Sequence, residues 1–335
     1  MHAQALVCDA QQQFSLADVF LPEPDADSLV VRTLCSGVSI GTEFALIRNK
    51  ISWGPYPLCT GYQAVGVVES AGRSVEGFRP GDKVYYRDNQ KFQLTDGTAV
   101  SAVSGTHASH AVISLKTTGG VAKLPAGVDD DAASLFVMPA VGLWGVDMSN
   151  PRLGETVLVY GAGLIGLGVV AACARRGCRV IAVDLDDRRL ALAEKLGADH
   201  VLNSRTQDVQ AEVLKLAPQL PDTVFEATGI PACLDSAIAL CRKGGKFIWQ
   251  GNYGKDPVAL HFLPPHGKQL QMFFPCDDGL APCRRAVLKN MAAGALDWAA
   301  TITHRIPAAA SAAFYDRINR GQASDVLGAV IRWCE

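Results

Sequence analysis

The sequence has 335 residues, of which 49% are hydrophobic and 19% charged, and its 31 Lys and Arg nearly balance 33 Asp and Glu, for a formal charge of −2. At roughly 100–200 residues per domain, this length predicts two domains, each large enough to have its own core. Nucleic acids and anionic membranes are bound by clustered basic surfaces, which this balance does not favour, so we expect neither as a partner.

Short β-like runs separated by Gly, Pro and Asp occupy the first 138 residues. They are Ala3–Val7, Leu29–Leu34, Ala64–Ser70, Lys83–Tyr86 and Ala111–Ile113. Such runs, with turn signals between them, predict a compact and mostly antiparallel barrel or sandwich. No basic segment followed by an apolar stretch precedes them, so we expect no signal peptide and a cytoplasmic protein.

From residue 139 onward, strand-like and helix-like segments alternate. The predicted strands are Thr156–Tyr160, Arg179–Val183, His200–Leu202, Thr223–Ala227 and Lys246–Gln250. The predicted helices between them include Leu164–Arg176, Asp187–Leu196 and Ile230–Cys241. This alternation predicts a parallel, doubly wound sheet, and therefore an α/β protein. The alternation ends in the tail, where we predict a helix near Pro282–Met291 followed by Thr301–Ile306, Ala308–Arg320 and Val326–Ile331.

A glycine-rich turn joins the first of these strands to the first helix. It reads Gly161-Ala162-Gly163-Leu164-Ile165-Gly166. Gly161 permits a tight turn, Gly163 lets the backbone approach a pyrophosphate, and Gly166 lets the helix pack closely on the strand. The pyrophosphate would lie on the free amides at the helix N-terminus. The turn therefore predicts a dinucleotide site.

The next strand ends in Asp184, whose carboxylate is placed to accept hydrogen bonds from ribose hydroxyls and to repel a 2′-phosphate. We therefore expect NAD(H) as the cofactor rather than NADP(H). Two alternatives stay open: Asp184 caps the following helix, or Arg188 and Arg189 contact a phosphate. Thr228 and Gly229, and then Gly251, follow later strands at the same sheet edge and complete the predicted cofactor site.

These motifs together resemble the medium-chain dehydrogenase/reductase superfamily, the family of alcohol and polyol dehydrogenases. The matching segments are Gly61–Ser70, Gly81–Val84, Gly161–Gly166, Leu196–Asp199, Gly244–Gly245 and Ile302–Pro307. The resemblance implies a GroES-like catalytic domain, residues 1–138 and 275–335, and a Rossmann domain, residues 139–274, with the active site in the cleft between them. We expect the protein to form a homodimer or a homotetramer.

The chain departs from the zinc-dependent members of this family at the metal ligands. Where they carry Gly-His-Glu, it has Gly61-Tyr62-Gln63, and where they carry a ligand cysteine it has Ser39-Ile40. Zinc prefers thiolate, imidazole or carboxylate ligands, none of which occurs at these positions. The segment that elsewhere holds a structural zinc, residues 82–122, contains no cysteine. We therefore expect that the protein binds no metal.

Without a metal, a general acid/base must handle the substrate proton. The predicted catalytic residues are His107, Tyr62 and Thr42. His107 is the first candidate because an imidazole titrates near neutrality, and Thr42 resembles the hydroxyl residue that relays the proton in zinc members. His107 as a wall of the pocket, and Tyr62 as a ring that fills the former metal space, remain the alternatives. The predicted substrate-binding residues are Ser39, Glu43, Gln63 and Trp144.

The leading hypothesis is a zinc-independent NAD(H) dehydrogenase that interconverts a secondary alcohol and a ketone. Polar residues in the expected cleft favour a small hydroxylated substrate such as a polyol, cyclitol or sugar derivative. The segment Ser36–Glu43 also resembles a zinc-free subgroup that includes a bacteriochlorophyllide hydroxyethyl dehydrogenase, so a bulky aromatic alcohol is a second possibility. The alternatives from other classes are a zinc-free quinone or enoyl reductase and a non-catalytic dinucleotide-binding protein.

Overall fold

The computed structural model describes residues 1–52, 54–89, 91–116 and 120–334. The strands, in chain order, are β1 (His2–Cys8), β2 (Phe14–Phe20), β3 (Ser28–Val38), β4 (Leu58–Cys59), β5 (Ala64–Ala71), β6 (Lys83–Tyr86), β7 (Phe92–Leu94), β8 (Ala99–Ala102), β9 (His110–Ser114), β10 (Val121–Lys123), β11 (Thr156–Tyr160), β12 (Arg179–Asp184), β13 (His200–Asn203), β14 (Thr223–Glu226), β15 (Lys246–Trp249), β16 (Gln271–Phe273), β17 (Ile302–Pro307) and β18 (Gly328–Arg332). The helices are α1 (Ile40–Ile47), α2 (Asp130–Ser134), α3 (Val137–Ser149), α4 (Leu164–Arg175), α5 (Asp187–Lys195), α6 (Val209–Leu216), α7 (Leu234–Ala239), α8 (Leu263–Gly267), α9 (Leu280–Ala292) and α10 (Ser311–Asn319).

The chain forms two compact units. The first unit consists of Met1–Phe136 and Leu288–Glu335, and the second unit of Val137–Val287. The family resemblance implies that residues 275–287 belong to the catalytic domain; by their contacts, these residues group with the second unit. There Arg284 forms a buried ion pair with Asp278, with 2.6 Å between Nε and Oδ2.

The first unit combines a closed barrel with a second sheet. Strands β1, β2, β7, β8 and β4 close the barrel, and small or branched side chains such as Ala5, Val19 and Val100 fill its interior. The second sheet has the order β10-β6-β5-β3-β18-β17, with β9 also paired to β3. Because β18 pairs antiparallel with β3, the tail of the chain completes a sheet begun by the N-terminal segment. The mostly antiparallel β architecture predicted for this region is confirmed.

The second unit is built on a parallel sheet in the order β13-β12-β11-β14-β15-β16. Residues 157–160 of its central strand β11 are all buried, as expected for a parallel strand covered on both faces. The strand order reverses at β11 and β14, which is the switch point where doubly wound sheets bind ligands. The predicted α/β fold class, with a Rossmann-like sheet, is confirmed. Among the described residues, no helix is long and apolar enough to cross a bilayer.

Candidate active site

A network of buried polar groups lies inside the first unit, centred on the carboxylate of Glu43. Glu43 and His107 are both fully buried, and His107 Nε2 lies 3.0 Å from Glu43 Oε2. The same oxygen accepts hydrogen bonds from Thr60 Oγ1 and from the hydroxyl of Tyr315, each at 2.7 Å. The other oxygen, Oε1, accepts the backbone N–H of Ser39 at 2.7 Å. Every oxygen of this buried carboxylate is therefore paired, as burial requires.

The charge state of Glu43 follows from these contacts. Burial raises its pKa, but attraction to His107 and the hydrogen bonds from His107, Ser39 and Thr60 together hold the pKa below its ordinary value. Burial and the nearby Glu43 carboxylate raise the pKa of Tyr315 well above the usual range. The network therefore contains an ionised carboxylate and a neutral phenol.

Both ring nitrogens of His107 contact protein groups. Nδ1 lies 2.8 Å from Ser36 Oγ, and Nε2 lies 2.7 Å from the Tyr315 hydroxyl in addition to its Glu43 contact. Ser36, His107 and Glu43 thus have the order of a hydrolytic triad, but Ser36 is fully buried and its hydroxyl also accepts the Trp333 indole N–H at 2.9 Å. No nucleophile is presented to a substrate by this arrangement.

The Tyr62 hydroxyl lies at the edge of this network and is partly buried. It donates a hydrogen bond to Ser39 Oγ at 2.5 Å, while the guanidinium of Arg87 lies 5.5 Å from the centre of its ring. Burial raises the pKa of Tyr62 to about 12, and hydrogen bonding with Ser39 and Thr42 opposes the shift. The structure thus brings together three of the predicted site residues, Ser39, Thr42 and Tyr62, around one phenol.

Gln63 and Gly61, on either side of Tyr62, are held by neighbouring backbone and by His107. The Gln63 side chain is fully buried, and the backbone carbonyl of Gln63 accepts the N–H of Gly37 at 3.0 Å. Gly61 has φ +90°, and a Cβ at this position would lie 2.7 Å from the His107 ring. In the described ranges, no group of three or more His, Cys, Asp or Glu side chains is arranged to hold a metal ion.

The glycine-rich turn of the second unit has the geometry that a dinucleotide requires. Gly161 has φ +92°, and a Cβ at Gly166 would lie 1.8 Å from the Gly161 carbonyl oxygen, so only glycine fits there. A Cβ at Gly163 would meet nothing within 4 Å, and none of the described side chains caps helix α4 at this residue. The turn, which continues through Ala162, Leu164 and Ile165, therefore leaves open space beside the helix N-terminus, and these residues fit a bound pyrophosphate.

Asp184, at the end of β12, is nearly buried and interacts with the same turn. Its Oδ2 accepts the N–H of Ala162 at 2.7 Å, and its Oδ1 accepts those of Leu185 and Asp186 at 2.8 and 3.0 Å. Each carboxylate oxygen has two lone pairs, so Oδ2 keeps one for a ribose hydroxyl. Next to it, Arg188 donates to both oxygens of Asp186, and this contact lowers the pKa of Asp186 to about 2.

A second buried carboxylate organises the ends of β14 and β15. Glu226 is fully buried and accepts the backbone N–H groups of Thr228 and Gly229 at 3.0 and 3.2 Å. It also accepts the hydroxyls of Thr228 and Tyr253. Gly251 packs against Gly229, where a Cβ at 251 would lie 2.4 Å from the Gly229 nitrogen. The predicted cofactor residues at this edge are therefore held in place by Glu226.

Trp144, the remaining predicted substrate residue, belongs to the second unit, on helix α3. Its ring lies 3.1 Å from the position a Cβ would take at Gly279. Ser39, Glu43 and Gln63 belong to the first unit.

Sequence reasoning missed Ser36, Thr60, Tyr315 and Trp333, which complete the Glu43 network. Tyr315 and His107 are 208 residues apart in the chain, so no local pattern connects them. Arg87 and Tyr253 were also missed. In the sequence, Arg87 and Tyr253 could have been suspected because each of them follows a strand that ends beside a predicted site residue.

Two family models match the chain. The model described as "Alcohol dehydrogenase GroES-like domain" matches residues 25–126, and the one described as "Zinc-binding dehydrogenase" matches residues 165–289. Together they cover more than half of the sequence. The chain belongs to the medium-chain dehydrogenase/reductase superfamily, in its zinc-type alcohol dehydrogenase-like branch.

Relatives of known name support this assignment. An alcohol dehydrogenase of Cupriavidus necator is 27% identical over 338 residues, covering 88% of each chain. Human sorbitol dehydrogenase is 28% identical over 266 residues, covering 74% of each chain. The protein is thus an alcohol or polyol dehydrogenase-like oxidoreductase by family.

Solved structures share the fold over nearly the whole length. A zinc-binding dehydrogenase from Sinorhizobium meliloti 1021 bound to NADP has a TM-score of 0.85 at 22% identity, covering 99% of both chains. An Escherichia coli CFT073 alcohol dehydrogenase complexed with NADH has a TM-score of 0.83 at 22% identity, also covering 99% of both. These two likenesses show that the chain shares the fold of both proteins.

Proposed function

We propose that this protein is a zinc-independent, NAD(H)-dependent oxidoreductase that interconverts a secondary alcohol and a ketone. The observation that carries the proposal is the hydrogen bond between Tyr62 and Ser39, at the positions where zinc-dependent relatives carry metal ligands. Tyrosine and serine in this pairing supply hydroxyl protons, whereas a zinc site needs thiolate, imidazole or carboxylate.

A bound nicotinamide supplies or accepts the hydride in this chemistry. The chain's own part is to hold the dinucleotide on the turn Gly161–Gly166 and at Asp184, Thr228, Gly229 and Gly251. We propose a preference for NAD(H) because the Asp184 carboxylate contacts the turn at the Ala162 N–H and would repel a 2′-phosphate. Arg188 supports this preference because its guanidinium is already engaged by Asp186.

Tyr62 is the proposed proton donor in the direction of ketone reduction. As negative charge develops on the carbonyl oxygen of the ketone, Tyr62 would donate its hydroxyl proton to that oxygen, and the phenolate that remains would regain a proton from solvent before the next turnover. The hydroxyls of Ser39 and Thr42 then turn their own hydrogens toward that phenolate, and Arg87 adds a nearby positive charge. Alcohol oxidation reverses each transfer.

The sequence predicts His107 as a catalytic residue, and its contacts in the structure define the role that we propose for it. Because both ring nitrogens are paired with Ser36, Glu43 and Tyr315, we assign direct proton transfer to Tyr62 and place His107 in the network behind it. If a substitution at His107 lowered kcat as much as Tyr62→Phe does, His107 would share the direct proton transfer.

The proposed substrates are polyols, cyclitols or other small hydroxylated molecules. The hydroxyl groups of Ser39, Thr42 and Tyr62 favour them, as does the similarity to a sorbitol dehydrogenase. We also propose a homodimer or homotetramer. Strand β16 forms one edge of the parallel sheet and is followed by Phe274, which is 64% exposed, and such edges favour pairing with another chain.

The test combines metal analysis with a substrate screen. Purified protein is analysed for zinc and assayed in chelator with NAD+ and sorbitol, 2,3-butanediol or a cyclitol, and separately with NADH and quinones or enones. We expect no stoichiometric zinc, and chelator-resistant oxidation of a secondary alcohol. One tightly bound zinc per chain would disprove the metal-free site. Turnover of enones alone would identify a reductase of C=C bonds, and binding of NADH without any turnover would indicate a non-catalytic protein.

A further inference from the structure

The residue that begins helix α1 is held in an unusual way. Ser39 is the N-cap of this helix, where a serine hydroxyl normally accepts a backbone N–H from the first turn. Here Ser39 makes no side-chain cap, and its hydroxyl accepts the Tyr62 proton instead. The ordinary stabilisation of the helix start is therefore given up in favour of a contact with Tyr62.

Glu43 supplies the compensating contact from inside the helix. Its Oε1 accepts the backbone N–H of Ser39 at 2.7 Å, which resembles the reciprocal half of a capping box. A glutamate on the first turn of a helix is usually solvated, but Glu43 is fully buried. Its other oxygen is fixed by His107, Thr60 and Tyr315, so the carboxylate cannot turn without breaking three hydrogen bonds.

The two halves of this arrangement meet at Ser39. The backbone N–H of Ser39 donates a hydrogen bond to Glu43, and the Ser39 hydroxyl accepts one from Tyr62. Thr42, which also bonds Tyr62, lies on the same helical turn as Glu43. Any shift of the Glu43 carboxylate is therefore passed through the Ser39 backbone to the oxygen that receives the Tyr62 proton.

We propose that Glu43, anchored by His107 and Tyr315, is a positioning residue that fixes Ser39 and thereby orients the Tyr62 hydroxyl. This inference rests on the proposed role of Tyr62 as proton donor. In this proposal, Glu43 acts by holding Ser39 in place and does not contact the substrate. The buried side chains of His107 and Tyr315 hold the Glu43 carboxylate in position.

Two substitutions at Glu43 separate the effect of side-chain length from the effect of charge. Glu43→Asp keeps the charge but shortens the side chain by one methylene, so it cannot hold Ser39 and His107 together. Glu43→Gln keeps the reach, and its carbonyl oxygen can still accept the Ser39 N–H while its NH2 group faces His107. We therefore expect Glu43→Asp to behave like Ser39→Ala, and Glu43→Gln to retain the wild-type position of Tyr62.

The first readout needs no substrate. With 3-fluorotyrosine placed at position 62, the 19F resonance should move in the same direction in Glu43→Asp and in Ser39→Ala. The double variant should move no further than Ser39→Ala alone, because both changes break one chain of contacts. Asp131→Asn is the matched control, since Asp131 is a nearly buried carboxylate of the same unit, paired with Arg305 and Arg332. It should leave the resonance unchanged.

The second readout is turnover of the secondary alcohol selected by the screen. Glu43→Asp should lower kcat about tenfold to a hundredfold, the effect of a small misplacement of a reacting group, with KM and NADH affinity within about threefold. If Glu43→Asp does not fold, Glu43→Met replaces it, because an unbranched thioether keeps the volume and lacks a strong acceptor.

The outcomes distinguish this inference from the proposed function. If Ser39→Ala moves the resonance and lowers kcat while Glu43→Asp does neither, the positioning role is wrong and Tyr62 keeps its role. If Glu43→Asp and Asp131→Asn lower stability alike and neither changes kcat, Glu43 is only structural. If Tyr62→Phe retains full kcat, the proposed proton donor itself is wrong.

Discussion

The proposed cofactor site of the second unit and the proposed Tyr62 site of the first unit are built in different ways. The cofactor site uses mainly backbone groups from one short turn, Gly161–Gly166, supported by Asp184 and Glu226. The Tyr62 site uses side chains from segments far apart in the chain, which meet only because β18 pairs with β3 and α10 brings Tyr315 to Glu43. A site formed by the backbone of one short turn can be predicted from a sequence motif, whereas a site formed by side chains from distant segments cannot.

Because the two sites are built differently, we expect mutations to destabilise them for different reasons. At Gly166 in the glycine turn, an added methyl group would collide with the backbone carbonyl of Gly161. In the Glu43 network, the loss of one member leaves buried polar groups unpaired. The predictions below test each kind of sensitivity.

The largest effect on stability is expected at Glu43. Glu43→Gln replaces a buried carboxylate that is hydrogen-bonded to four groups, and each hydrogen bond lost to a charged group typically costs about 1.5–3 kcal/mol of unfolding free energy. Chemical denaturation at pH 7 measures it. Glu212→Gln, which removes an exposed ion pair with Lys215, is the control and should cost less than about 1 kcal/mol. Equal losses in the two variants would show that the Glu43 pair contributes no more than a surface pair.

The same network predicts that the free energy of unfolding decreases as the pH becomes acidic. The folded-state pKa of Glu43 lies below its ordinary value, so its contribution is fully present above the unfolded pKa of about 4.3 and is lost as pH falls through the lower folded pKa. Denaturation midpoints of wild type between pH 3 and 6 should fall toward acid, and Glu43→Gln should flatten that fall. An unchanged slope in the variant would contradict the direction of the shift.

The glycine turn predicts a smaller but position-dependent effect. Gly166→Ala would place a methyl group 1.8 Å from the Gly161 oxygen, and such overpacking costs about 1–3 kcal/mol. Gly163→Ala meets open space, so its unfolding free energy should stay within about 0.5 kcal/mol of wild type, although the methyl group would weaken NADH binding where the pyrophosphate approaches. Thermal unfolding and NADH fluorescence titration measure both. Equal destabilisation by the two alanines would show that the turn relaxes freely.

The smallest effect is expected at Asp184. Asp184→Asn keeps an acceptor for the Ala162 N–H but removes the charge, so the ratio of NADPH to NADH dissociation constants should fall about tenfold, equivalent to about 1.4 kcal/mol. Asp208→Asn, at the N-cap of α6, is a control that removes a charge in the same unit. If wild type binds both cofactors equally, the proposed NAD(H) preference is wrong.

The parts that the sequence predicted are those specified locally. Strands β6 and β11 were predicted with their observed limits, because apolar β-branched and aromatic runs end at clear turn signals. Helix α3 was missed because Pro139 and two glycines, Gly142 and Gly145, are poor helix formers that only tertiary packing permits. Gly168 shows that packing: a Cβ there would lie 2.7 Å from Pro139.

The candidate site shows the same limit. Glu43, Tyr62 and His107 were singled out as residues, but Tyr315, which completes the Glu43 network, lies 208 residues beyond His107 in the chain. The buried state of His107 could not be predicted, because a histidine in Gly105–His110 has the same local sequence whether it lines a cleft or fills a core. In the structure, His107 is buried among Ser36, Glu43 and Tyr315, and contacts between residues so far apart in the chain leave no local signal.

In the proposed function, a tyrosine performs the proton transfer that a metal site governs in zinc-dependent relatives. The most direct test compares kcat for Tyr62→Phe and His107→Asn in ketone reduction, with NADH affinity measured for both. We expect Tyr62→Phe to lower kcat by about 10²–10⁴, the usual contribution of a positioned acid/base, with NADH affinity unchanged. His107→Asn should lower stability more than kcat. A loss of kcat of that size in His107→Asn, with Tyr62→Phe nearly as active as wild type, would show that the imidazole and not the phenol is the proton donor.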